Sequence, residues 1–241
     1  MTSGPDLSST EASAYAPEFQ IEGSDDGTLG QQVYQDLERR ILSGQLLPDA
    51  KLSLRKLAVS LNTSMQPVRE AVGRLVAASA LEIAPGRSFR VPPLDRALVD
   101  EIWSMRLLLE GEAAARFAAR QVPDEARELF EYTRTLRTYR FGIDLAPTMQ
   151  TMMEWNGRLA RGSASAILID MIFRLHLRYA PFLACALSED MPYDEGFLQF
   201  TLHMQDELVL AIEAGDIAAA RHLRCADLRS FQRYLYSRVG W

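Results

Sequence analysis

Apolar and polar residues alternate in the first third of the chain with the periods of three helices and a hairpin. The pattern predicts a first helix that begins near Gln31 and ends before Gly44. A second helix, capped by Ser53, is predicted to end at Asn62, a residue that tolerates left-handed backbone. The apolar stripes of these two helices are Val33, Leu37, Ile41 and Leu42, then Leu54, Leu57, Ala58 and Leu61. A turn of about three residues follows.

A third helix is predicted to begin after Thr63 or Ser64, with Pro67 in its first turn, where the missing N–H is tolerated. Its apolar spacing separates an inward face from an outward face. The inward face is Val68, Ala71, Val72, Leu75 and Val76, and the outward face is Met65, Gln66, Arg69 and Gly73.

Two short runs of alternating apolar residues, 81–83 and 89–91, follow the third helix. They are separated by the turn signal Pro85-Gly86 and predict a β-hairpin. Three helices and a hairpin within about 60 residues are the layout of a winged helix-turn-helix domain.

After Pro92-Pro93 every long segment has helical periodicity. The predicted helices span residues 95–121, 124–140, 146–161, 165–187, 194–214 and 216–238. Pro181 falls inside the fourth of them and predicts a kink. The chain is therefore predicted to be mainly α. A disordered tail covers residues 1–28, a winged helix-turn-helix domain with a small β-hairpin wing covers 29–93, and an all-α bundle of about six helices covers 94–241.

Charge is unevenly distributed along the chain. The net charge is -6, yet residues 29–93 carry nine Lys or Arg against five Asp or Glu, which indicates that this segment meets a polyanion.

No apolar run is long enough to span a membrane and no signal peptide is apparent, so a cytoplasmic protein without a membrane partner is expected. Cys185 and Cys225 lack the spacing of a disulfide framework or zinc site and are expected to be buried free thiols.

The outward face of the third helix carries candidate DNA-reading chemistry. Gln66 and Arg69, three residues apart, have side chains that hydrogen-bond adenine and guanine in the major groove. Arg55 is expected near the DNA backbone, and Gly86 and Arg87 at the wing tip near the minor groove or phosphates. Periodicity leaves a second interpretation open, in which these arginines form only a solvated face.

Four motifs resemble those of a known family in order and spacing. ILSGQLLPDAKLS, LRKLA, PVREAVGRL and the Pro-Gly-Arg of the wing resemble the N-terminal domain of the GntR superfamily of bacterial transcription regulators. The segment MRLLLEGEAAARFAA at residues 105–119 resembles the opening of the FCD effector domain of that superfamily. The resemblance implies DNA contacts at Arg55, Ser64, Met65, Gln66, Arg69, Gly86 and Arg87. Family members commonly have Arg where this chain has Met65, which predicts an altered operator preference or weaker binding.

FCD domains commonly hold a divalent metal through an Asp, a His four residues later and two further His. The resemblance places these four positions at Met152, Asn156, Gln205 and Asp227, and three of the four are poor ligands for a transition metal. No metal and no other cofactor are therefore expected. The histidines of the chain, which are expected to be exposed or partly buried, are His176, His203 and His222.

A polar effector pocket is expected in place of a metal site, lined by Arg106, Met152, Asn156, Gln205 and Asp227. Arg106 has two open interpretations. It binds a carboxylate or phosphate of a ligand, or it pairs with Glu110 one helical turn away. A bundle centre with no ligand is a further alternative.

The function implied by the resemblance is a transcription regulator, expected to be a repressor, that binds a palindromic operator as a homodimer. A small metabolite, expected to be an organic acid, is expected to control it. Two alternatives come from other classes of protein. An enzyme lacks support, since no nucleophile with a base at usable spacing and no phosphate loop is present. A helical interaction module with degenerate DNA binding and no ligand is the alternative that Met65 keeps open.

Overall fold

The structure is a computed structural model that describes residues 28–85, 88–140, 143–188 and 194–241. Helices and strands occur in the following order: α1 (Leu29–Leu42), β1 (Lys51–Leu52), α2 (Leu54–Ser60), α3 (Met65–Ala77), β2 (Glu82–Ala84), β3 (Ser88–Arg90), α4 (Arg96–Ala119), α5 (Pro123–Arg127), α6 (Leu129–Leu136), α7 (Leu145–Gly162), α8 (Ala166–Ala186), α9 (Glu195–Glu213) and α10 (Ile217–Arg238). The predicted tail lies outside the described residues except for Thr28, which caps α1.

The N-terminal part has the predicted winged helix-turn-helix architecture. The inward residues of α3 from Val68 to Leu75 are fully buried, which fixes this helix against α1 and α2. Asn62 has a φ of 47°, as predicted for the end of α2. Ser64 occupies the N-cap of α3, although its side chain makes no capping hydrogen bond.

The wing is a three-stranded antiparallel sheet in the order β1-β3-β2. The two predicted strands are present, with bounds shifted by one residue, and Ile83 lies opposite Phe89. The sequence did not predict β1, where Lys51 pairs with Arg90. A two-residue strand has no periodicity of its own, so only pairing with β3 defines it.

The C-terminal part is a helical bundle built around α4, which α7, α8, α9 and α10 cover. The predicted helix 124–140 is wrong as a single element, because the helix is interrupted at Glu128 and divides into the separate helices α5 and α6. Helix α8 continues through Pro181. No helix among the described residues is long and apolar enough to cross a bilayer.

One hydrophobic core continues from the N-terminal part into the bundle, since Leu37 of α1, Trp103 of α4 and Leu183 of α8 belong to the same buried cluster. Gly44, which follows α1, has a φ of 76°, and a Cβ there would lie 2.6 Å from Met149 Sδ and 2.9 Å from Ala184 Cβ. Glycine is therefore required both by the backbone and by the close approach of α7 and α8.

Candidate DNA-binding face and buried cavity

The outward face of α3 is solvent-exposed over its first two turns. Met65 is 43% exposed, and Gln66 and Arg69 are also exposed. The amide nitrogen of Gln66 donates to Glu70 Oε1 at 3.0 Å. No described residue forms a hydrogen bond or ion pair with Arg69, so its guanidinium is available to a partner.

Arg74, five residues after Arg69, already has contacts within the protein. It donates to Gln31 Oε1 at 2.7 Å, and its guanidinium stacks over the Tyr34 ring at 3.9 Å. Because both contacts are with α1, Arg74 holds the orientation of α3 relative to α1.

The remaining predicted DNA-contacting residues fall into two groups. Arg55 on α2 and Ser64 at the start of α3 are exposed. Gly86 and Arg87 lie outside the described residues. DNA contacts at all four of these residues stay a prediction.

A cavity lies inside the bundle. Its atom-free space is about 580 Å³ when the part open to solvent is included, and about 30 Å³ of that space can hold the centre of a water molecule. All five residues predicted for the effector pocket line this cavity: Arg106, Met152, Asn156, Gln205 and Asp227. Much of the remaining wall is apolar, formed among others by Leu136, Leu183, Leu198, Leu202, Phe197 and Phe231. A largely apolar cavity with a few converging polar groups is the usual form of a small-molecule site.

Arg224 of α10 is a buried charged residue of the cavity that the sequence did not predict. Its side chain is buried, at 1% exposure for the residue, and donates to Asp227 Oδ2 at 2.8 Å, to Glu110 Oε2 and to Asn156 Oδ1. These contacts join α10 to α4 and α7. The only available signal in the sequence was the i,i+3 spacing from Asp227, and many exposed pairs share that spacing.

Of the two interpretations of Arg106, the pairing with Glu110 is present in the structure, and the ligand contact stays a prediction. Arg106 Nε donates to Glu110 Oε1 at 2.6 Å. The guanidinium lies 4.6 Å from the ring centre of Trp103 and 4.2 Å from that of Tyr179. Nη1 is buried without a well-aligned hydrogen bond in the described ranges, and the Tyr179 hydroxyl, which also lacks one, interacts with the same guanidinium.

Glu110 is the anionic centre of the network. Burial alone would raise the pKa of this carboxyl, but Arg106, Arg224 and His176 together hold it well below its usual value of 4.5. Burial lowers the pKa of His176, whose Nε2 lies 3.1 Å from Glu110 Oε1. Glu110 is therefore ionised and His176 neutral at pH 7.

Asp227 and Gln205 have different environments. Burial raises the pKa of Asp227, although Arg224 and a 2.8 Å hydrogen bond from Thr201 Oγ1 favour its ionised form. Gln205 Oε1 is buried and accepts no hydrogen bond from any residue that the structure describes. Four buried atoms of cavity-lining residues thus lack a well-aligned hydrogen bond in the described part of the chain: Arg106 Nη1, Tyr179 Oη, Gln205 Oε1 and Arg224 Nε.

The cavity residues do not fit the divalent metal that the resemblance implies. No group of three or more His, Cys, Asp or Glu side chains able to hold a metal occurs in the described part of the chain. Asn156 and Asp227, two of the four expected ligand positions, instead accept hydrogen bonds from Arg224.

Two expectations about other side chains need correction. His176 is fully buried rather than exposed or partly buried, because Glu110 satisfies it inside the bundle. Cys185 and Cys225 are free but only partly buried.

The winged helix-turn-helix fold and the helical C-terminal bundle define the class of a DNA-binding transcription regulator. Two family models match the chain, "Bacterial regulatory proteins, gntR family" over residues 29–91 and "FCD domain" over residues 101–229. The chain belongs to the GntR family of transcriptional regulators and carries an FCD domain.

Relatives have the same organisation. The chain is 31% identical over 209 residues to the HTH-type transcriptional regulator McbR of Escherichia coli (strain K12), covering 87% of this chain and 93% of the relative. It is 28% identical over 195 residues to a probable D-xylose utilization operon transcriptional repressor of Paenarthrobacter nicotinovorans, covering 81% and 83%. Both relatives are named as regulators of transcription.

Solved structures agree with the fold. The structure of E. coli McbR/YncC has a TM-score of 0.80 at 28% identity, covering 89% of this chain and 100% of that one. A GntR regulator from Rhodococcus sp. RHA1 has a TM-score of 0.71 at 18% identity, covering 86% and 97%, and supports the fold alone.

Proposed function

We propose that this regulator is a repressor that binds a palindromic operator through α3 as a homodimer and is controlled by a small organic acid in the bundle cavity. The observation that carries the proposal is the buried Nη1 of Arg106, which lacks a well-aligned hydrogen bond among the described residues, in a cavity of the same molecule that exposes Arg69 on α3. We keep residues 29–93 as the DNA-binding part and 94–241 as the sensing part.

The DNA-binding assignment is supported by the contrast between Arg69 and Arg74. Arg74 is committed to α1, whereas Arg69 extends from the exposed face without a partner among the described residues. Major-groove recognition needs such an uncommitted donor near the N-terminus of the helix. Gln66 lies beside it, and its exposed hydrogen bond to Glu70 costs little to exchange for a base contact.

The assignment of an organic acid rests on the buried polar atoms of the cavity that lack a well-aligned hydrogen bond. A carboxylate that accepts from Arg106 Nη1 satisfies one such donor. Gln205 Oε1 favours a hydroxyl or N–H on the same ligand, and the apolar wall favours a hydrocarbon body. The ligand class is therefore a carboxylic acid with an apolar body and one further hydrogen-bond donor.

The homodimer and the palindromic operator are supported by the symmetry of DNA recognition. A two-fold DNA site matches a two-fold protein, and one winged domain alone gives modest affinity. Repression is favoured because one relative is described as a probable transcriptional repressor. The regulator acts in the cytoplasm, where bacterial chromosomal DNA lies.

The test is selection of genomic fragments bound by the purified full-length protein at two salt concentrations, followed by sequencing. We expect a short palindrome near a small number of genes. Diffuse enrichment that disappears at moderate salt would show phosphate binding without sequence recognition. That result would favour the second candidate, a helical interaction module with degenerate DNA binding, which Met65 alone supports.

Arg69→Ala tests which helix face reads DNA. We expect a loss of about 1–3 kcal/mol of operator binding, measured by fluorescence anisotropy, because one base or phosphate contact disappears. Arg134→Ala is the matched control, since Arg134 is an exposed arginine on α6 with 66% exposure of its side chain. Equal affinities of the two variants would mean that this face of α3 does not contact the operator.

A further inference from the structure

The positions that the family resemblance assigns to a metal line the same cavity as Arg224. Met152, Asn156, Gln205 and Asp227 all line the cavity, as their assignment to one site requires. The Arg224 guanidinium contacts Asn156 and Asp227 directly.

The contacts of Arg224 are those expected of a central cation. Three oxygen acceptors from three helices converge on its guanidinium: Glu110 from α4, Asn156 from α7 and Asp227 from α10. The side chain of Arg224 is 2% exposed, so water does not compete for these oxygens. A metal ion in the centre of a bundle likewise joins oxygen ligands from several helices.

The charges of the site already balance without a metal. Arg106 and Arg224 supply two positive charges, Glu110 and Asp227 two negative ones, and all four side chains are buried. A divalent ion beside these groups would add two uncompensated positive charges in a region of low dielectric constant, next to two guanidinium groups. To coordinate the ion, Glu110, Asn156 and Asp227 would also have to give up their hydrogen bonds with Arg224.

We infer that Arg224 takes the place of the divalent metal of related domains as a built-in cation, so that ligand binding in this cavity is metal-independent. This inference deepens the proposed function and rests on it only for the presence of a ligand. Arg224 acts as a positioning residue that holds Asn156, Asp227 and Glu110. The exchange also changes what the site recognises. A metal offers open coordination positions to chelating ligands, whereas this site offers hydrogen-bond donors such as Arg106 Nη1.

Metal content of the full-length wild-type protein is the first test. The protein is dialysed against Mn²⁺ and, separately, Zn²⁺, then against metal-free buffer, and bound metal is measured by mass spectrometry. We expect far less than one equivalent per chain. One equivalent of either metal that is lost in Asp227→Asn would overturn the inference.

Removal of the guanidinium is the second test. In Arg224→Ala the oxygens of Glu110, Asn156 and Asp227 lose their cation and surround a vacated space, which suits a hard divalent ion. We expect this variant to gain bound Mn²⁺, detected by electron paramagnetic resonance, and the double variant Arg224→Ala with Glu110→Gln to lose it again. Circular dichroism establishes that each variant is folded.

Arg224→Lys is the matched control, because it keeps a positive charge at the same position and is expected to bind no Mn²⁺. A folded Arg224→Ala protein without Mn²⁺, or an equal gain in Arg224→Lys, would overturn the inference. Where Arg224→Ala does not fold, the wild-type measurement and Arg224→Lys still decide. None of these readouts depends on operator binding, so a failure of the inference differs from a failure of the proposed regulator function.

Discussion

At the scale of single residues, the polar centre of the bundle depends on Glu110, whose two carboxylate oxygens accept from Arg106 and from Arg224. Removing one member of a buried charge network leaves the others without compensation, and this is costlier than losing an exposed ion pair. Each buried charge in this network is acceptable only because the others are present.

Glu110→Gln should destabilise the protein by about 3–5 kcal/mol at pH 7, because two buried guanidinium groups lose their anion. The pKa of Glu110 is lower in the folded protein than its usual value of 4.5, so its contribution to stability is present above pH 4.5. That contribution is lost as the pH falls through the lowered folded value. The urea midpoints of wild type and variant should therefore converge as the pH is lowered below 4.5.

Glu101→Gln, an exposed change on the same helix, is the control for that experiment and should leave the midpoint unchanged at every pH. A difference between wild type and Glu110→Gln that stays constant from pH 7 down to acid would contradict the network described for Glu110.

Met65→Arg should increase by about one the slope of log affinity for the operator against log salt, since one additional phosphate or base contact releases one more counterion. The measurement is operator binding at several salt concentrations. Leu210→Arg, at a site on α9 with 48% exposure, adds the same charge elsewhere. If both variants steepen the slope equally, net charge rather than a contact at Met65 is responsible.

At the scale of elements, small residues decide how closely the helices approach one another. Gly162 at the end of α7 faces the ring of Phe117 on α4, and a Cβ there would overlap that ring. Gly73 in the middle of α3 lies on the exposed face, and a Cβ added to it would meet no atom within 4 Å. The two glycines therefore have opposite roles, one required for packing and one with no packing constraint.

Gly162→Ala should destabilise the protein by about 1–3 kcal/mol through overpacking, and Gly73→Ala should stabilise it by about 0.5–1 kcal/mol through helix propensity. Urea unfolding of both variants measures the two effects in parallel. A stabilising Gly162→Ala would show that α4 and α7 can separate without cost, contrary to the contact with Phe117.

At the scale of the whole molecule, the buried cluster that contains Leu37, Leu75 and Trp103 links the DNA-binding part to the bundle. Met149 lies under Gly44, one turn before the cavity residue Met152 on the same helix. A ligand that shifts α7 therefore acts on a helix that contacts the end of α1. This continuity gives a direct physical route between the cavity and α3, which packs on α1.

Leu75→Ala tests the continuity. Leu75 is fully buried, so the change should cost about 2–5 kcal/mol. The three tryptophans of the chain all follow residue 93, and their fluorescence should nevertheless report unfolding at lower urea, together with the circular dichroism signal. Val59→Ala, at a site with 73% exposure, should change stability by less than about 0.5 kcal/mol. An unchanged tryptophan transition in Leu75→Ala would mean that the two parts unfold independently.

Local properties of the sequence were enough to define most helices and the winged helix-turn-helix order. The apolar period of α3 places Val68 and Leu75 inward without reference to the rest of the chain, and Asn62 marks a turn by its own backbone preference. Resemblance to a family then located Arg106 and Asp227, and the structure brings both to one cavity. The interruption at Glu128 escaped prediction because helical periodicity continues across it.

The charged centre of the cavity, in contrast, could be identified only from the packing of distant segments. Arg224 and Glu110 are 114 residues apart, and each lies in a segment where charged residues ordinarily face solvent. Their pairing exists because α10 packs along α4, and the cost of burying either charge is offset by the other. Such compensation is a property of two elements in contact, so no pattern within either helix could have shown it.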